Sequence, residues 1–201
     1  TFTLPDLTVF PNLTKIYLDG LPLDNSDIQE IGSVSDLVDL DIKSWDSDGQ
    51  HELTFDDLSP IQSLDQLIEL KFGGEFDFSV SQWASVVTPE NFPRLNELEL
   101  TYQWDTNQLL QSETGTIVST VAAFSTAGVA LREIRLSGTT NAKLTQSDVQ
   151  TLIDDAYEPI ASSLERITLT WSDIVDPQLS ELATLPNVYG LSLHHSEQLD
   201  D

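Results

Sequence analysis

A short apolar pattern occurs seven times along the 201-residue chain. Each copy places apolar residues at positions 1, 4 and 6 of a six-residue segment, as in LVDLDI and LNELEL. The copies occupy 13–18, 37–42, 67–72, 95–100, 131–136, 164–169 and 188–193, with 24 to 36 residues between successive starts. A repeat of this length indicates a unit that cannot bury its apolar face alone and must stack on its neighbours.

The residues within and between these segments predict alternating strands and helices. The last two apolar residues of each segment alternate with polar ones, as in a short strand with one buried face. The intervening sequence contains helix caps and apolar returns, which predict helices within 25–34, 55–64, 81–87, 116–128, 145–157 and 176–185. The repeated strand and helix predict an α/β fold with a parallel sheet.

The seven segments resemble the leucine-rich-repeat superfamily over residues 13–193. The resemblance implies a solenoid with a concave parallel β-sheet and convex helices or turns, in a single domain of about seven repeats over residues 1–201. It also implies binding through the concave face or its rim. The positions where the family often carries asparagine or cysteine hold other residues, so an asparagine ladder is missing. Neither end has the pattern of a capping repeat, which predicts that further sequence or a partner subunit covers the ends.

The charge balance limits the partners of the chain. It contains 34 acidic and 8 basic residues, for a formal net charge of −26. Such a surface repels nucleic acid and anionic lipid, and it favours cations, basic partners or high salt. No apolar run approaches the ~18 residues of a membrane span. We therefore expect a protein partner or a neighbouring subunit, with no nucleic acid and no insertion into a membrane.

Sequence motifs for catalysis are missing. The chain contains no cysteine, and its three histidines lack the spaced carboxylates or histidines of a zinc or triad site. It also lacks a phosphate-binding loop, a nucleophile elbow and a dinucleotide-binding fingerprint. We therefore expect a protein that is not an enzyme and has no cofactor. The sequence does not identify a compartment, although an extracellular or luminal one is slightly favoured.

One acidic segment, WDSDGQHELTFDDL at 45–58, resembles a calcium-binding loop. Its carboxylates Asp46, Asp48 and Asp57 make it a weak candidate for calcium. His51, however, stands where such a loop needs glycine, and a strand rather than a helix precedes it. We favour a different interpretation, in which the segment is an acidic turn followed by a helix. Thr54 caps this helix, and Asp57 lies in its first turn.

The third, fifth and seventh residues of each segment are predicted to point away from the core. Together they include five basic and seven acidic side chains, a net charge of −2. In the fifth row, Asp41, Lys71, Glu99 and Arg135 alternate in sign on consecutive strands. Two interpretations of this row remain open. It is either a self-neutralising ladder of charges that holds the strand register, or part of the one surface that does not repel an acidic partner.

Nine residues on this face and at the strand ends are predicted to bind a partner. Aromatic residues rimmed by polar groups are favoured at interfaces, although each ring could instead pack against the neighbouring repeat. The candidates are Tyr17, Lys71, Tyr102, Trp104, Arg135, Arg166, Thr168, Trp171 and His194.

These features predict a non-enzymatic protein-interaction or scaffold domain that binds through the concave face and an aromatic rim. The alternative is an acidic surface or matrix protein adapted to high salt or to weak calcium binding.

Overall fold

The computed structural model describes residues 3–44, 57–74, 78–102, 111–139 and 141–196. Within these ranges it contains seven strands and five α-helices. The strands are β1 (Lys15–Asp19), β2 (Asp39–Ser44), β3 (Glu69–Gly74), β4 (Glu97–Tyr102), β5 (Glu133–Ser137), β6 (Arg166–Thr170) and β7 (Gly190–His194). The helices are α1 (Asn25–Gly32), α2 (Val80–Val86), α3 (Gln111–Thr126), α4 (Gln146–Thr151) and α5 (Asp176–Leu182).

The seven strands form one parallel sheet in chain order, from β1 to β7. Every strand pairs with the next one in the sequence, so each connection returns the chain to the neighbouring position. The register aligns equivalent residues of the repeated segment, as in Leu40 with Leu70 and Leu70 with Leu98. The predicted α/β class and parallel sheet are therefore confirmed.

Each strand begins two residues later than the predicted segment. The first apolar residue of the segment lies in a turn rather than in the sheet. The amide of Leu37, for example, donates to the carbonyl of Val34 at 3.1 Å. Leu37 and its equivalent Leu67 are nonetheless fully buried. The first apolar residue of the segment thus packs in the core from the turn before the strand. Only the last two apolar residues lie in the strand itself.

The apolar side of the sheet packs against the helices in one continuous core. Strand residues such as Leu40, Phe72 and Leu98 belong to the same buried cluster as Ile28 and Phe124 of the helices. Burial of each large side chain stabilises the fold by about 1.5–3 kcal/mol. This core places the helices on one side and leaves the opposite side of the sheet to polar residues.

Polar caps fix the first residue of several helices. Asp24 accepts hydrogen bonds from the amides of Ser26 and Asp27 before α1, and the Asp27 carboxylate accepts one from the Asp24 amide in return. Equivalent capping boxes begin α2, through Ser79, and α4, through Thr145. Each box satisfies amide donors that the helix itself leaves free.

Two connections differ from the predicted helices. α4 continues into a π-helical turn (Leu152–Tyr157) and a 3-10 helix (Glu158–Ile160). Between β2 and β3, the described part of the chain forms only a 3-10 helix (Ser59–Ser63), with Pro60 near its start. Asp57 therefore lies before this helix and not in its first turn, contrary to the predicted position.

Apolar side chains are exposed at both edges of the sheet. Near β1, Phe10 and Tyr17 are exposed, and at the other end Tyr189 and Leu191 are 68% and 40% exposed. Leu191 occupies a core position of the repeated segment, so the core at β7 is only partly covered. No helix among the described residues is long and apolar enough to cross a membrane.

Candidate binding surface on the open face of the sheet

The side of the sheet away from the helices, called here the open face, carries the third, fifth and seventh residues of the repeated segments. The parallel register aligns them in rows across the sheet. The third row is Lys15, Asp39, Glu69, Glu97, Glu133, Arg166 and Gly190, and the fifth is Tyr17, Asp41, Lys71, Glu99, Arg135, Thr168 and Ser192.

Four acids occupy adjacent strands in the third row. Asp39 pairs in register with Glu69, Glu69 with Glu97, and Glu97 with Glu133. Like charges directly opposite each other destabilise a sheet, so this row depends on cations placed between its members. The basic residues of the open face supply them.

Lys71 lies between two of these carboxylates. Its Nζ is 2.9 Å from Glu69 Oε2 and 2.8 Å from Glu97 Oε2, and its side chain is only 16% exposed. Burial acts to lower the pKa of Lys71, but the hydrogen bonds to Glu97 and Glu69 outweigh it and raise the pKa above its ordinary value. The ammonium group therefore stays charged and holds β3 and β4 together.

Two arginines enclose the last acid of this row. Arg135 contacts Glu133 with its guanidinium, and Arg166 Nη1 is 3.3 Å from the other carboxylate oxygen of Glu133. At the opposite end, Lys15 Nζ is 3.1 Å from Asp39 Oδ2, with the lysine side chain mostly exposed. The third row is thus neutralised from both ends and from its centre.

These pairings differ from the predicted fifth-row ladder. The predicted register is correct, but Lys71 contacts the third-row acids instead of Asp41 and Glu99 beside it. In this position the Lys71 ammonium group contacts two carboxylates. Arg135 behaves similarly, because it contacts Glu133 directly and reaches Glu99 only at 3.8 Å.

As a result, Asp41 and Glu99 are incompletely paired. Asp41 Oδ2 is 3.2 Å from Lys43 Nζ, whereas Asp41 Oδ1 is buried with no hydrogen-bond partner among the described residues. Glu99 Oε2 is also buried without a hydrogen bond in these ranges, and it has only the long ion pair with Arg135 Nη1 at 3.8 Å. The two residues are only 7% and 5% exposed. Burial, partly opposed by Lys43, raises the pKa of Asp41.

The open face becomes less charged toward β7. Arg166, Thr168, Ser192 and His194 line a recess of about 350 Å³ together with Arg135. Beside it, the Arg166 guanidinium lies 5.4 Å from the centre of the Tyr189 ring. The Tyr189 hydroxyl donates to Glu165 Oε2 at 3.1 Å.

The aromatic residue after β6 packs against the next strand end. The Trp171 and His195 rings stack with their centres 4.2 Å apart and an angle of 12° between their planes. Both residues have left-handed backbone conformations, with φ of 54° and 55°. His194, one residue earlier, is exposed on the open face. Trp171 therefore packs against the neighbouring repeat, which is one of the two roles predicted for its ring.

The structure brings most of the predicted binding residues onto one face. Tyr17, Lys71, Arg135, Arg166, Thr168 and His194 all lie on the open face. Tyr102 is the last residue of β4, and Trp104 lies outside the described residues.

The weak calcium candidate is only partly within the described chain. Asp46 and Asp48 lie outside it, whereas the Asp57 carboxylate accepts a hydrogen bond from the Ser59 amide at 2.9 Å. The Ser59 hydroxyl and, second, this amide lower the pKa of Asp57. In the ranges that the structure describes, no group of three or more acidic or histidine side chains is placed to hold a metal ion.

Sequence reasoning did not single out three residues of this surface. The alternating signs of the fifth row predict that Asp41 and Glu99 are neutralised by their neighbours, and only the distances reveal that one oxygen of each carboxylate lacks a hydrogen bond among the described residues. Tyr189 lies at the second position of the last segment, which the strand pattern leaves unassigned. Its place directly before β7 is the one signal that could have identified it.

Comparison with known proteins does not assign the chain. The sequence matches no model of a known protein family and no curated protein.

Proposed function

We propose that the chain is a leucine-rich-repeat solenoid that acts as a non-enzymatic binding or scaffold domain, with a protein partner on the open face. The repeated segments, the strand order and the aligned rows support this proposal. The partner is a protein or a neighbouring subunit rather than nucleic acid, because the chain carries a net charge of −26.

The observation that carries the proposal is the pair of nearly buried carboxylate oxygens on Asp41 and Glu99. A buried polar group without a hydrogen bond costs about 1–3 kcal/mol, and more when it is charged. These oxygens have almost no accessible surface, so a partner reaches them only when the carboxylates turn toward the open face, and N–H groups donated there would recover that cost on binding. The chemistry at this point therefore favours a lysine, an arginine or backbone amides of the partner.

The less charged region near β7 supplies a second contact. Its exposed Tyr189 and the recess bounded by Arg166 and Thr168 combine aromatic, cationic and hydroxyl groups. Tyrosine and arginine are common among the residues that dominate binding energy at protein interfaces. A partner spanning the open face would contact both regions.

In the experiment, the immobilised chain captures proteins from its native source, and mass spectrometry identifies them. Two variants of the chain are compared. Thr168→Trp blocks the open face, and Ser180→Trp places the same side chain on the exposed surface of α5 as a control. A specific partner is retained by the control and lost by Thr168→Trp. If no captured protein distinguishes the two variants, the proposed surface is incorrect.

A second pair of variants tests the carboxylates. Asp41→Asn and Glu99→Gln remove the charge that needs a donor while preserving shape. We expect each to weaken binding of the captured partner by about tenfold, the effect of one lost charge-assisted hydrogen bond. The free protein should keep its stability or gain some. Undiminished affinity in both variants would exclude these oxygens from the interface.

A further inference from the structure

The helix side of the molecule contains a groove distinct from the open face. Its floor is α3, and its walls are the end of α2 with the residues that follow it, and the α4 connection that continues to Pro159. The groove has a volume of about 1180 Å³. A helix about 10 Å across rises 1.5 Å per residue, so this space corresponds to about ten residues, or roughly three helical turns.

Small side chains form the floor. On its inner side, α3 buries Ile117, Val121 and Phe124 in the core. Its outer side presents Gly115 and Ala123 to the groove, with small or short residues between them. Residues 114–131 include no charged side chain, although charged residues make up 21% of the chain. A floor of this kind allows the backbone of another helix to approach closely.

All of the charge on the described lining is negative and lies on the two walls. Glu90 stands on one wall, and Asp154 and Asp155 stand on the other, all exposed. No basic side chain lines the groove within the described ranges. The floor between these walls is uncharged and consists of small residues, and the hydroxyls of Ser119, Thr120 and Thr126 donate to carbonyls of α3 itself. An uncharged floor between two acidic walls is complementary to a helix with an apolar stripe and basic flanks.

Other occupants fit this arrangement less well. A second copy of the chain would bring a net charge of −26 toward carboxylates of the same sign. An anionic lipid surface would be repelled in the same way. We propose that the groove between α2 and the α4 connection binds a basic amphipathic helix of a protein partner. This site is separate from the open face and does not depend on the proposed function.

The test measures binding of fluorescein-labelled 18-residue peptides to the full chain by fluorescence anisotropy. Four peptides carry an apolar stripe of alanine, valine, leucine or phenylalanine, each flanked by lysines. Each has a scrambled control of equal composition and a second control with glutamates in place of lysines. We expect at least one lysine-flanked peptide to bind saturably with a Kd below about 1 mM and more tightly than both of its controls.

Two substitutions fill the groove. Ala123→Trp occupies the floor, and Gly115→Trp does so at a position where an added Cβ meets no atom within 4 Å. Each should weaken the bound peptide by about tenfold or more, whereas Ser180→Trp on α5 should change it by less than about twofold. Circular dichroism confirms that the variants are folded.

A charge reversal tests the walls. Asp154→Lys with Asp155→Lys should weaken the peptide more than Asp36→Lys with Asp65→Lys, which changes the net charge equally at exposed sites away from the groove. The proposal is overturned by any of three results: no lysine-flanked peptide binds saturably, binding is unaffected by both tryptophans, or the two charge reversals act equally. Equal binding of a glutamate-flanked peptide would also overturn it.

Discussion

Replacement of Lys71 by methionine should strongly destabilise the protein, because this lysine separates two acids that face each other across β3 and β4. Methionine keeps much of the length and the apolar stem of the side chain but removes the charge. Glu69 and Glu97 would then be left in register without the cation between them.

The size of the effect follows from the two contacts. Each hydrogen bond to a charged group contributes about 1.5–3 kcal/mol, and removal of one partner from a largely buried ion pair costs about 3–5 kcal/mol. We therefore expect Lys71→Met to lower the free energy of unfolding by about 3–5 kcal/mol. Its carboxylate partners raise the pKa of Lys71, so this contribution is fully present below the ordinary lysine pKa of 10.5 and is lost only as the pH rises above it.

Lys15 provides the matched control. It also contacts a third-row acid, Asp39, at 3.1 Å, but its side chain is 69% exposed. Exposed ion pairs contribute about 0–1 kcal/mol, so Lys15→Met should cost less than about 1 kcal/mol. Urea unfolding at pH 7 measures both values. A loss below about 1 kcal/mol for Lys71→Met, or equal losses for the two variants, would show that the central lysine does not hold the acidic row together.

Three further predictions concern packing and charge. Gly32→Ala should destabilise the protein by about 1–3 kcal/mol, because its Cβ would collide with the backbone of Pro60, whereas Gly115→Ala should stabilise it by about 0.5–1 kcal/mol; chemical unfolding checks both, and equal effects would refute the packing argument. Tyr157→Phe should leave stability unchanged or slightly raised, because the buried hydroxyl has no hydrogen-bond partner among the described residues, and a loss above about 1 kcal/mol in the same assay would contradict this. Sodium chloride should raise Tm only modestly for a binding domain; a Tm that keeps climbing toward about 1 M salt, where the screening length is about 3 Å, would instead favour the salt-adapted alternative.

The sequence was sufficient to predict the sheet, because the position of the apolar residues within each repeated segment also determines how neighbouring strands align. Leucines such as Leu40, Leu70 and Leu98 recur at one position of the segment, and burial of that position on every strand requires the aligned parallel register. The two-residue shift in strand starts was not predictable from the pattern, because a buried leucine satisfies the core equally well from a turn or from a strand.

The charge contacts of the open face were less predictable. Spacing places Lys71 beside Asp41 and Glu99, yet its flexible side chain reaches Glu69 and Glu97 instead. Directly opposite and diagonal neighbours on a sheet are both within reach of a long side chain, so the sequence alone does not decide between them. The partly unpaired carboxylates of the candidate site follow from that choice.

The groove on the helix side shows a similar limit. The uncharged run 114–131 is visible in the sequence, but a helix with uncharged residues on both sides gives no clear periodicity from which to tell its buried side from its exposed one. The packing of α3 between its neighbours determines which residues remain accessible.

The distribution of charge has a kinetic consequence for both proposed surfaces. The three rows of the open face carry a net charge of −2, so the remainder of the chain carries nearly all of the −26. A basic partner would therefore be attracted over long distances by the whole molecule. The contacts that retain it are local: the oxygens of Asp41 and Glu99, or the uncharged floor of the groove. Long-range attraction is screened by salt, and short-range contacts in buried sites are screened much less. Added salt should consequently slow association of a partner more than it speeds dissociation, and surface plasmon resonance at increasing ionic strength would separate the two rates.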